Sequence, residues 1–182
     1  MNLRDHVVMR LDIPTPGLVV LVGPAGSGKS TFATRHFRPT EVVSSDFYRA
    51  AVADDPGDQR ASAAAFRVLY LVLDERLRRG RLAVADATSL TPWSRAQLLD
   101  IARRRRLPAA AIVLALPLAV CLGRDRARSP DSVGERVVRR QYRLLPAALA
   151  AVNDEGFAAV WVLDSEAAVA ATTVSARRRP CA

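Results

Sequence analysis

Lysine is nearly missing from this sequence of 182 residues: Lys29 is the only one, and arginine takes the other strongly basic positions. Arginine and alanine are abundant throughout, which indicates a genomic bias. Such a bias raises the net charge to +9 without requiring an acidic partner. The exception is informative, since Lys29 lies in a glycine-rich loop, where a slim ammonium group fits and a broad guanidinium group does not.

Cysteines and long apolar runs are also scarce. Cys121 and Cys181 have neither CxxC spacing nor a histidine partner, which argues against a metal site or a catalytic thiol, and both are interpreted as structurally neutral. No apolar run approaches the roughly 20 residues of a membrane-spanning helix. Residues 1–10 lack the apolar core of a signal peptide. We therefore expect a cytoplasmic protein with no membrane partner.

Short apolar runs alternate with helical stretches along the chain. The predicted strands are residues 18–22, 41–45, 82–85, 110–116 and 160–163. Apolar spacing predicts a helix over residues 61–79, and Thr91-Pro92 opens another as a cap followed by proline. This order predicts an α/β fold with a parallel sheet flanked by helices and a site at the carboxyl ends of its strands.

The length suits a single domain. We assign residues 17–176 to it, residues 1–16 to an N-terminal lead-in and residues 177–182 to a basic, frayed tail. Within the domain, residues 117–155 are arginine-rich and helical, with a break at Ser129-Pro130, which predicts a helical lid.

A glycine-rich loop follows the first predicted strand and opens a helix, in full agreement with the P-loop pattern GxxxxGK[ST]. Its residues are Gly23, Pro24, Ala25, Gly26, Ser27, Gly28, Lys29, Ser30 and Thr31. In such a loop the backbone amides wrap phosphates, Lys29 reaches the β and γ phosphates of ATP, and Ser30 is a Mg²⁺ ligand. The glycine spacing argues against a dinucleotide-binding fold.

Two aspartates end predicted strands beside this loop. Asp46 is placed to orient an acceptor hydroxyl and take its proton, unless it is merely the N-cap of the next helix. Arg49 would lie on the same side and grip a phosphate of the acceptor. Asp86 is placed to hold the metal through water or to lock the P-loop hydroxyl, unless it is part of a turn capped by Thr88.

Arg124 and Arg128 are four residues apart on the predicted lid helix and hence on one face. Closure of the lid would bring both onto the transferring phosphates. Several arginines nearby are expected to be plain solvated charges, so solvation stays an alternative for this pair too.

The motifs GPAGSGKSTFATRHF, EVVSSDFYRAAVADDPGDQ, LAVADATSL, CLGRDRAR and ERVVRRQY with EGFAAVWVLDS follow one another in this order. Together, over residues 17–165, the sequence resembles the kinase domain of bacterial polynucleotide kinase-phosphatase, an RNA-repair enzyme. The resemblance implies a P-loop kinase fold and phosphorylation of 5′-OH ends of RNA or DNA by ATP and Mg²⁺. It implies that Asp46 is the general base, that Arg49 binds the acceptor's terminal phosphate and that Gln59 faces the acceptor. It also implies that Arg124 and Arg128 bind ATP phosphates and that Asp86 supports the site.

The sequence departs from that family in one respect. The family enzyme continues into a phosphatase and a ligase-like adenylyltransferase module, which this chain is too short to include. Lys29 belongs to the P-loop, so no lysine remains as a nucleophile for adenylylation. A repair phosphatase or ligase would be a partner on a separate chain.

Two other functions are compatible with the sequence. One is a kinase for a small metabolite or a nucleotide sugar, which would share the P-loop, the strand-end aspartate and the lid arginines. The other is a nucleotide-binding switch without an acceptor. Steep salt dependence of acceptor binding would indicate a polynucleotide.

Overall fold

The computed structural model describes residues 9–129 and 131–178. The strands are β1 (Arg10–Thr15), β2 (Leu18–Val22), β3 (Val42–Ser44), β4 (Ala83–Asp86), β5 (Ala109–Leu114), β6 (Ala159–Leu163) and β7 (Thr173–Arg178). The helices are α1 (Lys29–His36), α2 (Ser45–Ala53), α3 (Ser62–Arg78), α4 (Pro92–Arg104), α5 (Leu118–Arg126), α6 (Glu135–Tyr142), α7 (Leu145–Ala151) and α8 (Glu166–Ala171).

The five predicted strands form one parallel sheet in the order β3-β4-β2-β5-β6. The P-loop strand β2 lies at its centre, and the chain leaves β3, β4 and β2 at one carboxyl edge. The sequence-based prediction of an α/β fold with a parallel sheet is therefore confirmed.

Successive side chains of β2 face opposite sides of this sheet, and both sides are covered. Leu18, Val20 and Val22 belong to a core that also contains apolar residues of α3, α4 and α7. Val19 and Leu21 belong to a second core with residues of α1 and β1. The sheet is thus buried on both faces, which explains why its central strand is uniformly apolar.

The structure differs from expectation at both ends of the chain. Strand β1, within the expected lead-in, pairs in parallel with β7 and buries Leu11 and Ile13 in the second core. Arg177 and Arg178 belong to β7, so the expectation of a frayed tail is wrong for these two residues. Residues 179–182, including Cys181, lie outside the described residues.

The expected lid region is helical, since its described residues include α5, α6 and α7. Its last part is fixed to the domain, because Leu145, Ala148 and Val152 are buried in the core that covers the sheet. Helices α5 and α6 also contribute buried residues, since Cys121, Leu122 and Val138 form a third apolar cluster with Ala25 of the P-loop. Pro130, at the expected break, lies outside the described residues.

A buried ion pair fixes the loop after β4. The Arg95 side chain is fully buried and donates to Glu155 through Nε at 2.6 Å and Nη2 at 2.5 Å. Its Nη1 also donates to the carbonyl oxygens of Ser89 and Leu90. These bonds tie the loop that follows Asp86 to the segment after α7.

Within residues 9–129 and 131–178, no helix combines the length and apolar character that crossing a membrane requires.

Candidate active site

The P-loop occupies the turn between β2 and α1, where the motif predicts it. Gly26 and Gly28 have φ angles of 76° and 91°, which side-chain-bearing residues rarely adopt. Gly28 is the N-cap residue of α1, so free backbone N–H groups and the positive end of a helix dipole meet at this loop. Such a loop fits the phosphates of a nucleotide.

Lys29 is the first residue of α1, and it is only 8% exposed. Its Nζ donates to the carbonyl oxygen of Pro24 at 2.8 Å, which holds the ammonium group inside the loop. Burial lowers the pKa of Lys29, while the negative charges of Asp86 and Asp46 counteract that effect. The structure therefore brings the lysine and both strand-end aspartates into one electrostatic cluster.

Asp86 ends β4 and is buried beside the P-loop. Burial raises the pKa of its carboxyl group, and a hydrogen bond from the Ser30 side chain and the charge of Lys29 oppose the rise. After Asp86 the chain bends at Ala87, and the cap of the next helix is Thr91, which accepts from the backbone N–H of Ser94.

The hydroxyl of Ser30 and the carboxylate of Asp86 form a pair of oxygen donors at the loop. Mg²⁺ prefers such hard oxygen ligands and is commonly held by one or two carboxylates together with substrate phosphates. The residues present therefore fit Mg²⁺ bound with a nucleotide, with Ser30 and Asp86 as its protein contacts.

Asp46 lies in the first turn of α2 rather than at its cap. Ser44 is the N-cap residue, since its hydroxyl accepts from the backbone N–H of Phe47 at 3.4 Å. The alternative that Asp46 serves only as an N-cap is therefore wrong. Its side chain is 48% exposed, so an acceptor can reach the carboxylate from solvent.

Arg49 lies one turn further along α2 and forms an ion pair with Asp46, as the spacing predicted. Its Nε also donates to the carbonyl oxygen of Pro56 at 2.7 Å, and only 11% of the side chain is exposed. The guanidinium group is thus largely occupied. Gln59 is exposed at the far end of the loop that Arg49 holds.

The two lid arginines do not share a helix face, so that part of the prediction is wrong. Helix α5 ends at Arg126, because the buried carboxylate of Asp125 accepts bonds from Ser132, Val133 and Gly134 and turns the chain. Arg128 follows in the turn, exposed, and its charge acts on Lys29 and Asp86.

Arg124 lies directly over the P-loop. A Cβ atom built on Gly28 would lie 2.9 Å from Arg124 Nη1. Arg124 Nη2 donates to Glu166 Oε1 at 2.7 Å. The structure therefore places Arg124 where the phosphates of a bound nucleotide are expected.

Three contacts at the loop were missed by the sequence analysis. Gln141 of α6 accepts from the backbone N–H of Ala25 at 2.7 Å. The carbonyl oxygen of Cys121 packs against Gly26, and Glu166 pairs with Arg124. The motifs CLGRDRAR and ERVVRRQY include Cys121 and Gln141, but no local pattern shows what these residues contact, because each contact joins segments that are distant in sequence.

The sequence belongs to the AAA domain family, which matches residues 18–150. This match begins at β2 and includes the P-loop, both strand-end aspartates and the two lid arginines. The comparison with curated proteins found no match.

Several solved structures share the fold. The chain is similar to a structure of the Pnkp1/Rnl/Hen1 RNA repair complex, with a TM-score of 0.64 and 20% identity over 75% of this chain and 46% of that chain. It is similar to shikimate kinase from Acinetobacter baumannii, with a TM-score of 0.52 and 20% identity over 85% and 87% of the two chains.

A third similar structure is a gluconokinase from Sinorhizobium meliloti 1021, with a TM-score of 0.54 and 18% identity over 87% and 92% of the two chains. The fold is that of P-loop kinases. Together with the family match, it supports a phosphotransferase.

Proposed function

We propose that this protein is an ATP-dependent kinase that phosphorylates the 5′-OH ends of polynucleotides. The observation that carries the proposal is the half-exposed carboxylate of Asp46, whose negative charge acts on the buried amine of Lys29. A base at this position can receive the proton of an acceptor hydroxyl while the P-loop holds the phosphates of ATP.

The transfer follows from these positions. Lys29 and the loop amides bind the phosphates of ATP, and Mg²⁺ bound at Ser30 and Asp86 would neutralise charge on them. The acceptor oxygen forms a bond to the γ phosphorus as the bond to the β–γ bridging oxygen breaks. ADP leaves, and the hydroxyl proton passes to Asp46.

The hydrogen bonds of Asp46 suit this role. Those that it accepts from the side chains of Ser45 and Arg49 both end on Oδ1. Among the described residues these are its side-chain partners, so Oδ2 is available to an acceptor hydroxyl. Arg49 would orient the carboxylate of Asp46. Once Asp46 contacts the acceptor, the guanidinium group of Arg49 would also bind the acceptor's terminal phosphate.

A polynucleotide acceptor is supported by the resemblance of residues 17–165 to the kinase domain of bacterial polynucleotide kinase-phosphatase. The similarity of the fold to a chain of an RNA repair complex agrees with it. In this proposal Arg124 and Arg128 contact ATP phosphates and Gln59 faces the acceptor.

A small-metabolite kinase is the second candidate. The alignments with the shikimate kinase and the gluconokinase cover most of this chain and most of theirs. Proteins named as small-metabolite kinases therefore have a domain of this size. The same P-loop and Asp46 would then act on the hydroxyl of a small acceptor.

Transfer of labelled γ-phosphate from ATP with Mg²⁺ distinguishes the two candidates. The acceptors are a 5′-OH oligoribonucleotide, its DNA twin and the same strands carrying a 5′-phosphate, with Lys29→Ala as the inactive enzyme. We expect label on the 5′-OH strands alone. The amounts of label on the RNA and DNA strands then show which acceptor the enzyme prefers. No label on either strand, with ATP still bound, would contradict the polynucleotide proposal and favour a small acceptor.

A further inference from the structure

Glu166 and Arg124 come from neighbouring strands at the P-loop edge of the sheet. Strand β5 leads into α5, which carries Arg124, and β6 leads into α8, whose first residue is Glu166. Ser165 caps α8 by accepting from the backbone N–H of Ala168 at 3.1 Å. The cap fixes the start of α8 and therefore the direction from which Glu166 approaches.

Two different nitrogens of the Arg124 guanidinium group face Glu166 and the P-loop. Nη2 donates to Glu166 Oε1 at 2.7 Å, whereas Nη1 is the atom that lies over Gly28. Because a guanidinium group presents five donors in a rigid fork, one edge can stay on a carboxylate while another contacts a phosphate.

We propose that Glu166 is a positioning residue that holds Arg124 over the P-loop for nucleotide phosphates. This inference rests on the proposed role of Arg124 toward ATP. A half-exposed arginine without a partner would sample many rotamers and lose that freedom on binding. The bond to Glu166 restricts the side chain beforehand, so less entropy is lost when the nucleotide arrives.

The negative charge of Glu166 does not offset this benefit. Its side chain is 59% exposed, so water and salt screen its repulsion of phosphates. Its carboxylate contacts the nitrogen of Arg124 that is not over Gly28. The carboxylate therefore orients the arginine without replacing the phosphate.

Binding of ADP and of a non-hydrolysable ATP analogue, each with Mg²⁺, tests the proposal on the full chain. The variants are Glu166→Gln, Arg124→Ala and the double variant. The control is Glu135→Gln, because Glu135 is likewise an exposed carboxylate paired with arginines, here Arg126 and Arg139 at 2.8 Å each. We expect Glu166→Gln to weaken binding of the ATP analogue by about fivefold, the upper range for one exposed ion pair. The control should bind like the wild type.

The double variant separates positioning from a structural role. If Glu166 acts through Arg124, Glu166→Gln has no further effect in the Arg124→Ala variant. With Arg124 intact, Glu166→Asp should bind the ATP analogue more tightly than Glu166→Gln does. Unchanged or tighter binding by Glu166→Gln would overturn the proposal, as would an equal loss in both backgrounds. This binding experiment needs no acceptor. A wild type that binds ATP but phosphorylates no oligonucleotide would therefore contradict the proposed function without contradicting the role of Glu166.

Discussion

Gly26 packs against the backbone of Cys121 in α5. A Cβ atom at this residue would collide with the carbonyl oxygen of Cys121, and its φ of 76° is already unfavourable for a side chain. We expect Gly26→Ala to lower the free energy of unfolding by about 3 kcal/mol, from about 1–2 kcal/mol of backbone strain and a similar cost of overpacking. Urea unfolding measures this loss.

Gly80 provides a matched control for that substitution. Its φ is 64°, and a Cβ atom there would meet no heavy atom within 4 Å. Gly80→Ala should therefore cost only the backbone strain, about 1–2 kcal/mol. Equal losses for the two variants would show that the contact with Cys121 does not constrain the loop.

Sequence alone identifies the P-loop residues because they are consecutive, and their spacing is itself the chemical signature. Gln141 could not be found in this way, because it lies 116 residues from the backbone amide of Ala25 that it contacts. Glu166 is likewise 42 residues from Arg124. Such contacts depend on how helices dock, which local patterns do not determine.

Helix α6 is hydrogen-bonded to the P-loop through the side chain of Gln141. The bond between Gln141 and the backbone N–H of Ala25 is partly buried, and an unpaired buried N–H group costs about 1–3 kcal/mol. Gln141→Ala should therefore speed hydrogen exchange at the Ala25 amide, measured by mass spectrometry or NMR. Gln97→Ala, on the exposed side of α4, should leave that exchange unchanged, and an unchanged rate in Gln141→Ala would contradict the docking role.

The end of α3 carries a charge cluster that makes stability depend on pH. Hydrogen bonds from Arg78 and Arg79 lower the pKa of Glu75 from 4.5 to about 2. The folded state therefore favours the carboxylate, and this contribution is fully present above pH 4.5 and is lost as the pH falls toward about 2. The side chain is exposed, so the effect is small.

We expect Glu75→Gln to lower the free energy of unfolding at neutral pH, with a difference from the wild type that narrows on acidification. Urea unfolding at a series of pH values from about 7 down to about 3 checks this, since that range enters the window in which Glu75 titrates. A constant difference across the series would show that the ion pairs do not set the pH dependence.

The sheet and its helices were largely predictable from sequence, whereas the strands at the chain ends were not. The run of residues 18–22 is apolar enough to identify a doubly buried strand. Strand β1 has only Leu11 and Ile13 buried, and β7 ends in two arginines. Each becomes a strand by pairing with the other, and no local signal predicts a partner at the opposite end of the chain.

The protein has a net charge of +9, although several of its arginines form ion pairs with carboxylates. If the acceptor is a polynucleotide, its phosphates should release counterions on binding. Neutralising about three phosphates of a single strand would lower affinity by about twentyfold between about 50 and 200 mM salt. A 5′-OH oligonucleotide titrated by fluorescence anisotropy measures this slope, and a flat dependence would contradict a polynucleotide acceptor.

The assignment of Asp46 as the base that receives the acceptor proton is tested most directly by single-turnover transfer in Asp46→Asn, with ATP affinity measured in parallel. Asp54→Asn, the same substitution at the other end of α2, is the control. We predict that Asp46→Asn slows transfer by about 10²–10⁴-fold, while its affinity for ATP stays within about twofold of the wild type and Asp54→Asn transfers normally. Transfer by Asp46→Asn at the wild-type rate would contradict the mechanism.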